Sequence, residues 1–143
     1  MPLTDAPFKI TPIGGMAVLL LNKTGGASVA GELVEADTTT DLAVKQCGAD
    51  STHPIGAFLD DGVPDAGQAW ICIGGIVDVM LKDATASTKG YWAKVSDTAG
   101  RADITGTTPS PPTAAVHFSE IGHCIQTAGA GSDVKARIVM HFL

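Results

Sequence analysis

The stretch from His53 to Leu81, HPIGAFLDDGVPDAGQAWICIGGIVDVML, decides how the chain is read. It holds three short apolar runs, Ile55 to Leu59, Ala69 to Ile73 and Ile76 to Leu81. An acidic loop from Asp60 to Gly67 separates the first two, and Gly74-Gly75 breaks the second from the third. Runs this short, bounded by Gly, Pro and Asp, predict strands joined by turns. Gly56 inside a strand predicts a bulge or a close backbone approach.

What precedes this stretch is repeated after it. Met16-Ala-Val-Leu-Leu-Leu-Asn22 aligns with Ile76-Val-Asp-Val-Met-Leu-Lys82. After one residue of slippage, Ala27-Ser28 to Leu33 aligns with Ala86-Ser87 to Trp92, matching Gly31 with Gly90. Ile55-Gly56 aligns with Ile121-Gly122, and the closing strands Ala69 to Ile73 and Val134 to Phe142 follow in the same order. Two copies are too few for a solenoid. They predict a closed sheet made of two similar β units, about residues 15–73 and 75–142, in one domain spanning 15–143.

The rest of the chain fits that plan. Val29 to Val34, Leu42 to Gln46, Tyr91 to Val95 and a run near Ile104 read as short strands. In Val134 to Phe142, Val134, Ala136, Ile138, Met140 and Phe142 share one face, the pattern of a half-buried strand. No amphipathic segment of helix length stands out. Thr107 to Thr113, rich in proline, reads as an extended insertion. The predicted fold class is all-β, a small single-domain barrel or compact sandwich. Residues 1–14 carry Pro2, Pro7 and Pro12, which favour extended chain over helix, so they read as an N-terminal arm with Phe8, Ile10 and Ile13 as apolar anchors.

Composition narrows the function. The 143 residues suit one domain, and 45% apolar against 17% charged residues predicts a folded core. A net charge of −6 without a Lys/Arg cluster argues against nucleic acid as a partner. No apolar run reaches a membrane span, and the N-terminus does not resemble a signal peptide. Cys47, Cys72 and Cys124 are scattered singly and read as small buried apolar groups in a reducing compartment.

No catalytic motif is present: no GxSxG, no P-loop, no zinc signature. His53, His117, His123 and His141 show no metal-ligand spacing, and the neighbours His123 and Cys124 point to opposite faces of a strand. Asp60, Asp61 and Asp65 lack the spacing of a calcium loop and read as a solvated turn. The chain is therefore read as a non-enzyme with no metal and no cofactor. Trp70 alternates with Ala69 and Ile71, which makes both faces of that strand apolar, one for the core and one for a neighbouring subunit. Trp70 and Trp92 join Phe8, Ile10 and Ile13 as interface candidates.

The start at Gly15-Met16-Ala-Val, the Ile55-Gly56 strand, Ala69-Trp-Ile-Cys-Ile-Gly-Gly-Ile-Val, Lys89-Gly-Tyr-Trp92, and Ile121-Gly122 closing on Val134-Lys-Ala-Arg-Ile resemble the head decoration, or capsid cement, proteins of tailed phages. The resemblance implies a homotrimer on the outer surface of an icosahedral head, made in the host cytoplasm and clamping the major capsid protein. A second reading from another class is a virion surface module, a head fibre or tail-tip domain that recognises a cell-surface ligand.

Overall fold

The structure, a computed structural model, describes residues 7–107 and 113–141. Pro2, Phe142 and positions 108–112 of the proline-rich insertion lie outside the described residues. The chain forms β1 (Phe8–Ile10), β2 (Gly15–Asn22), β3 (Leu33–Ala36), β4 (Ala43–Gln46), β5 (Pro54–Phe58), β6 (Gln68–Met80), β7 (Trp92–Val95), β8 (Ala102–Thr105), α1 (Ala114–Ser119), β9 (Glu120–Cys124) and β10 (Lys135–Met140). The all-β expectation holds, with one short helix added.

One ten-stranded sheet runs β1-β2-β4-β3-β5-β6-β10-β9-β7-β8, and a further pairing of β2 with β6 closes a five-stranded barrel, β2-β4-β3-β5-β6. The second half repeats the connectivity. There the C-terminal part of β6 takes the place of β2, and β10 takes the place of the N-terminal part. Parallel pairing of β2 with β4 at Leu21↔Ala43 is matched by a parallel bridge, Leu81↔Ala102, which brings β8 back to the end of β6.

Corresponding details recur residue by residue. Val34↔Gly56 precedes a bulge in β3–β5, and Ala93↔Gly122 precedes one in β7–β9. A Cβ on Gly56 would lie 2.3 Å from Cys72 O, and one on Gly122 would lie 2.0 Å from Val139 O. Buried Ser28 donates to Asp60 O at 2.8 Å and accepts from Val63 N at 3.0 Å. Buried Ser87 donates to Gln126 O at 2.8 Å and accepts from Ala128 N at 2.9 Å. The strand register also removes the slip needed by the sequence alignment. Ile71 faces Val18 and Ile138 faces Val77, so Ala17, not Met16, corresponds to Ile76.

Three expectations are corrected. Gly74-Gly75 does not break the strand: β6 runs through it for 13 residues and serves both barrels. Gly75 permits this because it takes φ +75° directly against Gly14 O, where a Cβ would sit at 2.4 Å. Of the strand expected over Val29 to Val34, only Leu33 and Val34 are in β3. Gly31, at φ +90°, instead turns the chain and donates its N–H to Phe58 O at 2.8 Å. Finally, α1 follows the insertion. Thr113 caps it by accepting from Val116 N at 3.2 Å, and six residues are too few for helical periodicity to show in sequence.

The core has two parts. Val34, Val44, Phe58, Ala69 and Ile71 fill the first barrel, with Val18 and Leu20 against them. The second core contains Val77, Val79, Leu81, Ala93, Val95, Ile121, Cys124, Ala136 and Ile138. Leu33, Cys47, Ala57 and Cys72 belong to that second cluster although their strands are in the first barrel. Alternation explains Leu33, Ala57 and Cys72: each is adjacent to a residue pointing inward, so each points out, onto the second barrel, while Cys47 follows the end of β4.

Candidate interaction surface and side-chain cluster

The N-terminal candidates sit on a hairpin. Phe8–Ile10 pairs antiparallel with β2, placing Phe8 beside Val18 and Ile10 beside Met16. The turn is fixed at Thr11, which donates its N–H to Gly15 O and whose Oγ1 accepts from Gly15 N, both at 2.8 Å. Phe8, Ile10 and Met16 are 57%, 65% and 43% exposed, a row of large apolar side chains on one face of the hairpin. Ile13, in the turn, is half-buried.

Trp70 lies on the outer wall of the first barrel, opposite Leu19, while its neighbours Ala69 and Ile71 are fully buried inside. The ammonium of Lys9 stands 4.2 Å over its ring. In the second barrel the same two positions are Asp78 and Arg137. They form a two-pronged ion pair, with Arg137 Nε and Nη2 donating to the carboxylate at 3.0 and 3.2 Å. This pairing raises the Arg137 pKa. One barrel therefore presents an apolar wall where the other presents an ionic one.

Trp92 occupies the far end of the sheet. It pairs with His123 across β7–β9, and the two rings lie against each other with centroids 4.1 Å apart and planes tilted by 44°. His123 Nδ1 lies 2.9 Å from Nε2 of His141, which follows β10. Glu120 Oε1 approaches that same Nε2 at 3.6 Å. Glu120 Oε1 and His141 Nδ1 are buried without a hydrogen-bond partner among the described residues. A cleft of about 300 Å³ adjoins the group, lined by Trp92, Thr105, Val116 and Glu120 among others.

Sequence spacing misses this cluster because strand pairing, not proximity along the chain, assembles it. The only signal in the sequence is alternation, which puts His141 on the same face as Val139, the residue that β10 sets opposite His123.

The acidic loop is structural where it is described. Asp60 Oδ2 accepts from Trp70 N, Asp61 Oδ1 from Ala30 N and Asp65 Oδ1 from Gly25 N. Cys47, Cys72 and Cys124 are buried and free. Burial pushes the Cys47 thiol up to about 12, helped by the nearby Glu35 carboxylate. No helix among the described residues is long and apolar enough to cross a membrane.

No protein family matches the chain, and no curated protein is similar to it. Its fold is similar to that of the N base of the head fiber gp8.5 of bacteriophage phi29, known from a crystal structure. The TM-score is 0.60 at 15% identity, over 88% of this chain and 95% of that one.

Proposed function

We propose that the protein is a structural component of a phage virion, bound to the outside of the head. The fold likeness to the phi29 head fiber base carries this reading, because it spans both barrels and nearly the whole of that chain. The partners are the major capsid protein and further copies of the chain in a trimer. Two apolar surfaces are available for contact: the outer wall of the first barrel with Leu19 and Trp70, and the opposite face of the hairpin, where Phe8, Ile10 and Met16 are exposed. Duplicated units with the same core have no folding reason to differ on that wall. The apolar version, half-buried at Leu19 and Trp70, supports a partner there, since large apolar and aromatic side chains on an outer wall mark contact sites. The role is non-catalytic and requires neither nucleic acid nor membrane.

A second reading is favoured by the same likeness: the chain is the base of a head fibre and carries a receptor-binding part outward. Both readings place the protein on the head surface.

The test is compositional and topological. Mass spectrometry of gradient-purified particles should find the protein at a fixed ratio to the major capsid protein. Antibody against it should label intact particles, and purified protein should rebind shells stripped of it. Absence from purified particles, or labelling only after heads are opened, would overturn the proposal. Mass photometry at micromolar concentration, with and without shells, tests the trimer.

A further inference from the structure

The cluster of Glu120, His123 and His141 brings three potential metal donors together where β9 begins and β10 ends. In a tetrahedral site, ligand bonds of about 2.0–2.1 Å set neighbouring donor atoms about 3.3 Å apart. The observed separations, 2.9 Å between the ring nitrogens and 3.6 Å from imidazole to carboxylate, lie on either side of that value. One donor atom from each of the three residues falls within a 4.8 Å span.

A second observation is independent of spacing. Glu120 Oε1 is buried and lacks a hydrogen-bond partner among the described residues. A desolvated carboxylate oxygen without a donor or cation is costly. A hydrogen bond between the two imidazoles would satisfy their facing nitrogens and still leave this oxygen orphaned. A cation held among the three donors would satisfy all of them at once. The scaffold is also ordered for the purpose. Glu120 and His123 are set by β9 and its pairing with β7 and β10, and the Trp92 ring fixes the His123 plane from one side.

The geometry points to a binding site for one divalent transition-metal ion of the zinc class, held by His123 Nδ1, His141 Nε2 and the Glu120 carboxylate. Water from the adjoining cleft, which Trp92 and Glu120 line, fills the fourth position. Two imidazoles and a carboxylate suit Zn²⁺ or Co²⁺, whereas Ca²⁺ and Mg²⁺ demand oxygen ligands. The ion would clip the start of β9 to the residue that follows β10. The inference stands whether or not the protein belongs to a virion.

Chelator-treated full-length protein, titrated with Zn²⁺ in a calorimeter, should bind one equivalent. Co²⁺ should give the visible absorption of a four-coordinate centre, and Ca²⁺ should not bind. His123→Ala, His141→Ala and Glu120→Gln should each weaken Zn²⁺ binding by at least about tenfold to a hundredfold. His53→Ala, at an exposed histidine outside the cluster, should leave it unchanged. Zn²⁺ at a hundred times its Kd should raise the melting temperature by roughly 5–10 °C. If a variant does not fold, NMR on the unaltered protein decides the matter: Zn²⁺ should shift the imidazole signals of His123 and His141 and leave those of His53 and His117 in place. No saturable binding at one equivalent, full affinity in the folded His123→Ala/His141→Ala double variant, or shifts confined to other histidines would overturn the site.

Discussion

Replacing Gly122 with alanine tests the second barrel at its tightest point. The added Cβ would stand 2.0 Å from Val139 O, 2.9 Å from Val139 C and 3.0 Å from Met140 Cα. An ordinary contact needs about 3.5 Å or more, so β9 would have to retreat from β10 by more than an ångström. Both neighbours are backbone, and no side chain can swing aside. The backbone adds a second cost, because φ is +154° there. Overpacking costs about 1–3 kcal/mol, and a side chain in a sparsely populated region about 1–3 kcal/mol more. The sum is about 2–6 kcal/mol, which for a domain of this size lowers the melting temperature by roughly 8–24 °C.

Gly56→Ala meets the same kind of obstacle in the first barrel, 2.3 Å from Cys72 O, without the positive φ. Its loss should be only the overpacking part, about 1–3 kcal/mol. Gly129→Ala, with nothing within 4 Å of its Cβ, is the control and should be neutral or slightly stabilising. Scanning calorimetry of the three variants reads the order directly. A Gly122→Ala protein melting within about 2 °C of the unaltered chain would refute the close approach and, with it, the matched bulges of the two barrels.

Ser28→Ala and Ser87→Ala should destabilise by similar amounts, about 1–3 kcal/mol each, because each orphans buried backbone groups at corresponding places; urea denaturation would expose any inequality. Phe8→Ala combined with Ile10→Ala should leave the melting temperature within about 2 °C while weakening shell binding, since both side chains face solvent in the isolated protein; unchanged decoration of shells would remove the hairpin from the contact surface. Cys47, with its thiol pushed up to about 12, should resist iodoacetamide at pH 8 in the folded protein and react freely once unfolded. Peptide mapping that found rapid native labelling at Cys47 would contradict its burial.

The fold was legible where sequence periodicity and chain geometry agree. Alternation in β10 correctly separates Ala136, Ile138 and Met140, all buried, from Lys135 and Val139, both exposed. The aligned glycines Gly31 and Gly90 do equivalent work, donating to Phe58 O and Cys124 O at 2.8 and 2.7 Å. Gly74-Gly75 misled because glycine marks both a chain break and a place where two backbones nearly touch, and only the partner strand distinguishes them. The Glu120 cluster was illegible for a different reason. Its members meet through strand pairing, and no local pattern encodes which strand lies beside which.

The outward side of β3, β5 and β6 in the first barrel has one further consequence. There Leu33, Ala57 and Cys72 form a seat on which the second barrel rests. By register, the second barrel carries the same seat at Trp92, His123 and Val139. A unit that both occupies a seat and offers one can, in principle, be added without end, and head-to-tail contacts of this kind build filaments unless something stops them. Here the stop is chemical. Two of the three positions stay apolar in the second seat, Trp92 and Val139, but Ala57 is replaced by His123 with His141 and Glu120 beside it, so a third barrel would have to cover these polar groups.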